Sequence, residues 1–175
     1  MGEKVLVTGG TGYIGSHTVV ELQNAGFKAV IADNLSNSRI EVVDSIAKIT
    51  GRKPEFEKVD LSSAEECKQL FEKHPGIGSI IHFAAYKSVG ESVDKPLEYY
   101  HNNINSLINI LNNMHRLGIR HMVFSSSCTV YGQPDQLPVT EETPRKPAQS
   151  PYGNTKAICE DIIRDFCKAQ ADYSC

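Results

Sequence analysis

Short unbroken apolar runs alternate along the chain with longer segments in which apolar residues recur every three or four positions. The runs fall at Val5-Leu6-Val7 and within Lys28–Asp33, Ser79–Phe83 and Arg120–Ser125, and a more polar third strand is expected at Pro54–Asp60. Continuous Val, Ile and Leu, without strict alternation, is what a parallel strand covered on both faces requires. The segments between them predict helices. One covers Ser16–Ala25 and is closed by Gly26. A second covers Arg39–Gly51, with Ile40, Val43, Ile46, Ala47 and Ile49 on one side. A third, Ala64–His74, is capped by Ser62 or Ser63 and carries Glu65 and Glu66 in its first turn, where acids suit the helix dipole. A longer helix is expected from about Leu97 to Leu117. Tyr100, Ile104, Leu107, Ile108, Leu111 and Met114 recur at helical spacing there, and its other faces carry asparagines 102, 103, 105, 109, 112 and 113. A second long helix is expected from Tyr152 to about Ala171. Repeated strand–helix units place the chain in the α/β class, as a doubly wound parallel sheet with right-handed crossovers.

Residues 129–150 break this rhythm. Pro134, Pro138, Pro144 and Pro147 exclude a helix, and Glu141-Glu142 and Arg145-Lys146 are polar. A loop this long in a compact domain is usually functional. It is expected beyond the carboxyl end of the fifth strand, on the edge where such sheets bind ligands.

The first strand ends in chemistry. Thr8 gives way to glycines at 9, 10, 12 and 15, and a helix opens directly after them. Gly9 and Gly12 let the backbone turn tightly and approach a bulky anion. Gly15 lets helix and strand pack closely, and the free N–H groups of the helix start face the anion. The spacing is G-x-x-G-x-x-G. The next strand ends at Asp33, where a carboxylate can accept both hydroxyls of an adenosine ribose. That acid repels a 2′-phosphate, and Asn34–Ser38 contains no arginine, although Arg39 follows. The pattern therefore favours NAD over NADP.

Further along, Tyr152 and Lys156 are spaced i, i+4 on one helix face, so their side chains are neighbours. A tyrosine with a pKa near ~10 is a poor base at neutral pH. A lysine cation beside it, or a positively charged nicotinamide ring, favours the phenolate. Ser127, at the end of Phe124-Ser-Ser-Ser127, can hydrogen-bond the same reacting oxygen. Base, cation and hydroxyl donor together suit removal of an alcohol proton while hydride leaves its carbon.

Composition narrows the partners. The 175 residues suit one domain, or one domain cut from something longer. Hydrophobic content of 40% and charge of 22% are ordinary for a soluble globular protein. A net charge of -3 gives no basic surface for nucleic acid beyond the dinucleotide itself. No apolar run approaches the roughly 20 residues that span a bilayer, so no membrane partner is expected. Met1-Gly-Glu-Lys leads straight into the first strand, with no room for a targeting peptide. The cysteines at 67, 128, 159, 167 and 175 form no CxxC pair and no metal-ligand spacing. They read as reduced thiols, with no metal site, in a cytoplasmic protein. Cys128 is the one near the candidate site, and a small packing residue there is favoured over a nucleophile.

These stretches also carry a resemblance. VTGGTGYIGSH (7–17), ADNLSNS (32–38), Asp60-Leu61, HFAAYKSVGESV (82–93), PLEYYHNNINSL (96–107), FSSSCTVYG (124–132) and SPYGNTK (150–156) resemble the extended short-chain dehydrogenase/reductase family, and within it the 4-epimerases of UDP-glucose and UDP-galactose. The resemblance runs from end to end and implies a Rossmann-type domain. It also implies roles for single residues. Gly9, Gly12, Tyr13 and Ile14 would meet the NAD pyrophosphate. Asp33, Asn34, Leu35, Ser36, Asn37 and Ser38 would hold the adenosine ribose and adjoining phosphate. Asp60 and Leu61 would bracket the adenine. Phe83, Ala84, Ala85 and Lys87 would line the middle of the cofactor. Asn102 would sit near the nicotinamide half. Ser127, Cys128 and Thr129 would face the hexose. Tyr152 would be the base and Lys156 would bind the nicotinamide ribose.

The activity so implied is epimerisation at C4 of a UDP-hexose, UDP-galactose to UDP-glucose, through a transient 4-keto sugar, with NAD bound throughout. Sugar-nucleotide 4,6-dehydratases of the same family usually place an acid just after a threonine near Ser127–Cys128. None stands there, which argues against dehydration. Family members run to about twice this length, so residues 1–175 would be the NAD-binding domain with the Tyr/Lys helix. The strands and smaller domain that grip UDP would be missing. The two long helices, near 97–117 and 152–171, would pair into a homodimer's four-helix bundle. Two alternatives stay open: a dehydratase or decarboxylase of nucleotide sugars, and an NAD-binding module without turnover.

Overall fold

A computed structural model describes residues 2–170 and 172–175. Its strands are β1 (Lys4–Thr8), β2 (Lys28–Asp33), β3 (Glu55–Lys58), β4 (Ile77–His82) and β5 (His121–Phe124). Its helices are α1 (Tyr13–Asn24), α2 (Glu41–Thr50), α3 (Ala64–Lys73), α4 (Val89–Asp94), α5 (Pro96–Leu117) and α6 (Pro151–Ala169). All strand pairs are parallel, in the order β3-β2-β1-β4-β5. The expected end of the last helix near Ala171 lies outside the described residues, and α6 closes at Ala169.

Successive residues of a strand face opposite sides, and β1 shows the consequence. Val5 and Val7 join Ala29, Ile31, Val19, Val43 and Ile46 in a core under α1 and α2. Leu6 joins Val30, Ile80 and Met122 under α3, α5 and α6, with Leu107, Ile110, Met114 and Cys159. Both faces of β1 are thus buried, which explains its unbroken apolar run. Register aligns Thr8 with Ala32 and His82, and His82 with Phe124. The strands therefore end along one edge, where Thr8, Asp33, His82 and Phe124 deliver the chain to the loops that follow.

The start of α3 was legible from its cap, and α6 has one that was not anticipated. Ser63 accepts a hydrogen bond from Glu66 N, and Ser150 accepts one from Gly153 N. Such caps are each worth about 1 kcal/mol. The first helix begins earlier than expected, at Tyr13, so Gly15 lies inside its first turn. Helix α4, capped by Ser88, was not anticipated.

Three expected helix faces differ in detail. On α2 only Val43 and Ile46 are buried, while Ile40 and Ile49 are exposed, because α2 lies at the outer end of the layer. On α5 Ile108 is partly exposed. Asn103, Asn109 and Asn113, expected on the polar side, are buried. They are buried because each satisfies backbone groups. Asn109 Nδ2 donates to the carbonyls of Leu61 and Ser62, and Asn113 Nδ2 donates to Asn109 O. A buried amide with its bonds made avoids the desolvation penalty of an unpaired one.

Candidate active site

One cavity of about 370 Å³ lies along the carboxyl edge of the sheet. Its volume is in the range of small-molecule sites. The glycine turn forms its floor. Gly9 has φ +67°, and a Cβ there would lie 2.9 Å from Ala84 N, so no side chain fits between this turn and the loop after β4. Gly12 N donates to Gly9 O at 3.0 Å. At Gly15 a Cβ would collide with that same carbonyl oxygen, so α1 starts tight against the turn only without a side chain. Gly12 is the N-cap of α1 and gives no side-chain cap. The first N–H groups of the helix therefore lack a side-chain acceptor, beside a cavity that Gly9, Gly12, Tyr13 and Ile14 line. This is the arrangement that receives an anion such as a pyrophosphate.

Asp33 lines the cavity two strands away from β4 and has structural work besides. Its Oδ1 accepts from Leu35 N at 2.9 Å and Ser38 Oγ at 3.1 Å, and its Oδ2 accepts from Thr11 N at 3.2 Å. Leu35, at φ 61°, takes the left-handed conformation in the turn so formed. The carboxylate thus fixes the loop Asn34–Ser38 against the glycine turn while facing the cavity. Two substitutions separate these roles. Asp33→Ala is expected to weaken both fold and dinucleotide binding, because charge-assisted bonds are worth about 1.5–3 kcal/mol. Asp33→Asn keeps an acceptor and loses the charge. It is expected to lower the melting midpoint less than Asp33→Ala, since its amide nitrogen cannot accept from Thr11 N, and to weaken NAD about tenfold. Thermal melts beside NAD titrations check this, and equal NAD affinities for Asp33→Asn and the parent would mark a purely structural acid.

At the other end α6 presents Tyr152 and Lys156, both buried and both lining the cavity. Lys156 Nζ donates to Ser125 O at 2.7 Å and sits 4.6 Å from the centroid of the Phe124 ring. Burial pushes its ammonium down to about 8, against the charges of Cys159 and Glu160, which raise it. An ammonium has three donors, so two remain beyond Ser125. Phe124 stacks on His82, whose Nδ1 shares a 2.7 Å hydrogen bond with Thr8 Oγ1. Burial, and then the charge of Lys156, push His82 down to about 3. The imidazole is therefore neutral, and Lys156 is the cation at this end.

Of the residues expected in the site, Gly9, Gly12, Tyr13, Ile14, Asp33, Asn34, Ser36, Asn37, Ser38, Asp60, Leu61, Phe83, Ala84, Ala85, Lys87, Asn102, Tyr152 and Lys156 line this one cavity. Leu35, Ser127, Cys128 and Thr129 do not. Ser127 caps a 3-10 turn over Cys128–Tyr131, its Oγ accepting from Thr129 N and Thr129 Oγ1. That turn packs on Gly153, where an added Cβ would lie 3.1 Å from Thr129 Cβ. Ser125 and Ser126 line the cavity instead, and Ser126 Oγ donates to Glu160 Oε1 at 2.5 Å.

The proline-rich loop was expected on this edge, yet none of residues 127–150 lines the cavity. It docks on α6 through Arg145, which reaches Ala157 O, Glu160 and Asp161. Tyr86 and Ser106 also line the cavity and were missed. Ser106 stands one helical turn after Asn102, a spacing that could have found it.

The sheet order and the phosphate-ready turn define the class: a doubly wound, Rossmann-type domain with its ligand cavity at the carboxyl edge. Comparison with known proteins places it further. Residues 6–175 match the family model described as GDP-mannose 4,6 dehydratase, and the chain belongs to that family of extended short-chain dehydrogenase/reductase type. A UDP-glucose 4-epimerase of Dictyostelium discoideum is 46% identical over 173 residues, covering 99% of this chain and 50% of that protein. One from Bacillus subtilis is 46% identical, covering 97% and 50%. The crystal structure of UDP-glucose 4-epimerase from Bifidobacterium longum in complex with NAD+ and UDP superposes with a TM-score of 0.95 at 40% identity, covering 98% of this chain and 51% of that one. That from Stenotrophomonas maltophila, with bound NAD and formylated UDP-arabinopyranose, superposes at 0.92 with 44% identity, covering 98% and 50%. The chain spans about half the length of the curated relatives it matches.

Proposed function

We propose that residues 1–175 form the dinucleotide-binding half of a UDP-hexose 4-epimerase, which interconverts UDP-galactose and UDP-glucose with bound NAD. The observation that carries the reading is the single cavity running from the uncapped start of α1 and Asp33 to Tyr152 and Lys156. The residues present fit NAD. The glycine turn leaves room for a pyrophosphate where a Cβ would intrude, and Asp33 faces a ribose. In this reading Asp60 and Leu61 would take the adenine end, Phe83, Ala84, Ala85 and Lys87 the middle, and Asn102 the nicotinamide end, and all of them line the cavity. When bound, NAD supplies a reversible hydride acceptor for C4 of the sugar.

The chain's own residues do the rest. Tyr152 takes the proton of the C4 hydroxyl and later returns it to the 4-keto oxygen, once the sugar presents its opposite face. Lys156, fixed by Ser125 O, keeps two donors for the nicotinamide ribose and holds a positive charge beside the phenol. Ser127, Cys128 and Thr129 take the hexose side, beyond the cavity rim. The outward sides of α5 and α6 form a homodimer contact, and exposed Leu97, Ile108 and Leu117 on α5 favour it. Among the described residues no helix is long and apolar enough to cross a membrane. The thiols of all five cysteines are free, which suits a cytoplasmic, reducing setting.

Dehydration, the activity in the family model's description, is the second reading. It needs an acid beside the sugar. The acids lining the cavity, Asp33 and Asp60, stand at the adenine end, and Ser127-Cys128-Thr129-Val130 contains none. The deciding experiment combines the mass and absorbance of the purified chain with incubation in UDP-galactose. Co-purifying or titratable NAD, and UDP-glucose as product, are expected of a polypeptide of the relatives' length. A chain that binds no NAD at saturation overturns the proposal. A stable 4-keto-6-deoxy product would favour dehydration, and bound NAD without turnover would favour a binding module.

A further inference from the structure

Asn103 is a buried amide in the middle of α5 whose hydrogen-bonding capacity is filled at the cavity wall. Its Oδ1 accepts from Tyr86 N at 2.8 Å and from Asn102 Nδ2 at 2.9 Å. Its Nδ2 donates to Tyr86 O at 3.0 Å and to Thr155 Oγ1 at 3.0 Å. Two lone pairs and two hydrogens are all that an asparagine side chain offers. The bonds of this one side chain join three segments at once: the loop after β4, helix α5, and the turn of α6 between Tyr152 and Lys156; Ser88 N to Tyr99 Oη and Asn154 Nδ2 to Tyr100 Oη tie them in pairs. Thr155 passes the link on, donating its hydroxyl to Tyr152 O at 2.7 Å. Asn103 O adds a further tie by accepting from Cys159 Sγ at 3.7 Å.

The grip on Tyr86 is the telling part. An amide paired with both the N–H and the C=O of one loop residue replaces the strand neighbour that residue lacks. It fixes the peptide plane as well as the position. Tyr86 lies between Ala85 and Lys87, and all three line the cavity, as does Asn102. Asn109 and Asn113, the other buried asparagines of this helix, behave differently. Asn109 holds the loop at Leu61–Ser62, and Asn113 bonds within α5 and to Cys67.

We infer that Asn103 is a positioning residue for the nicotinamide end of the site, setting the distance between the Ala85–Lys87 loop and the Tyr152/Lys156 helix. The inference rests on the NAD reading above and goes beyond it, since Asn103 does not itself line the cavity. The adenosine end lies on β2, which is separated from β4 by β1, so about 10 Å away across the sheet. It is held by Asp33 and the glycine turn and not by this amide. The two ends should therefore respond differently to its loss.

The test titrates NAD and, separately, ADP into the full 175-residue chain by calorimetry, for the parent, Asn103→Ala and Asn113→Ala. Asn103→Ala is expected to weaken NAD about tenfold or more, while ADP, which reaches only the adenosine and pyrophosphate half, changes less than about twofold. Asn113→Ala, also a buried-amide loss, is expected to leave the ratio of NAD to ADP affinity where it stands in the parent. Should Asn103→Ala not fold, Thr155→Val removes one of the four bonds together with the hydroxyl's bond to Tyr152 O, and is expected to show the same split, at about threefold or more. Parallel losses of NAD and ADP, or no loss of either, overturn the positioning role and make Asn103 a core amide only. A parent chain that binds neither ligand overturns the NAD reading itself, a result distinct from the parallel losses.

Discussion

Exchanging Tyr152 for Phe is expected to lower conversion of UDP-galactose by about 10²–10⁴-fold, the usual contribution of a positioned general acid–base group. Binding of NAD should stay within about twofold of the parent. The substitution removes one hydroxyl from a buried ring and leaves the ring's packing in place. The hydrogen bond that organises this turn of α6 runs from Thr155 Oγ1 to the main-chain oxygen of Tyr152, so it survives the change. Lys156 keeps its bond to Ser125 O, and the glycine turn and Asp33 are untouched. What disappears is the hydroxyl proposed to exchange a proton with the sugar. The measurement is a coupled assay for UDP-glucose beside an NAD titration, in the polypeptide that carries this chain to the length of its relatives. Retained turnover would remove Tyr152 from the base role. Joint loss of turnover and NAD binding would show that the hydroxyl serves cofactor binding instead.

The glycine turn and Asp33 were legible because each answers a local demand. Only glycine fits at 9 and 15, where an added Cβ would meet backbone, and the acid that ends the second strand falls on the cavity. Strands β1 and β2 were legible for a related reason, since burial on both faces leaves little room for polar residues. What could not be read depends on long-range pairing. Asparagines at 103 and 109 read as a solvated face because polarity alone cannot announce that loops more than a dozen residues away supply their partners. Among Ser125, Ser126 and Ser127, which hydroxyl faces the cavity depends on the turn that begins at Cys128, and that turn carries Ser127 out of the lining. The proline-rich loop follows the carboxyl end of the fifth strand, which points to the ligand edge, and its length points to function. Its docking is set by Arg145, a pairing with Glu160 and Asp161 that only the folded helix brings together.

Lys156 shows a conflict between fold and site, and stability against pH exposes it. In the unfolded chain its ammonium titrates near 10.5, and in the fold burial brings it to about 8. Below pH 8 both states hold the proton, and the folded state bears the full cost of a desolvated charge. Between 8 and 10.5 the unfolded chain binds more protons than the folded one, so stability rises with pH. That depression corresponds to about 3 kcal/mol. The buried thiols of Cys67 and Cys159 act oppositely, since burial pushes them up to about 12 and about 11, and their contribution falls with pH above 9. The difference between the parent and Lys156→Met isolates the lysine. That difference is expected to favour Met, or to vanish, at pH 7, where the removed charge cost outweighs or matches the about 1–3 kcal/mol of a lost bond to Ser125 O. It should then move in favour of the parent between pH 8 and 10.5. Urea melts at pH 7, 8, 9 and 10 measure it, and parallel profiles for the two proteins would show that the ammonium is not held against its own burial. NAD affinity is expected to move the other way, falling about tenfold or more in Lys156→Met at pH 7 as its donors are lost. A cation that costs the fold and serves the ligand belongs to the site, and the opposite signs of the two effects are what a merely structural lysine could not produce.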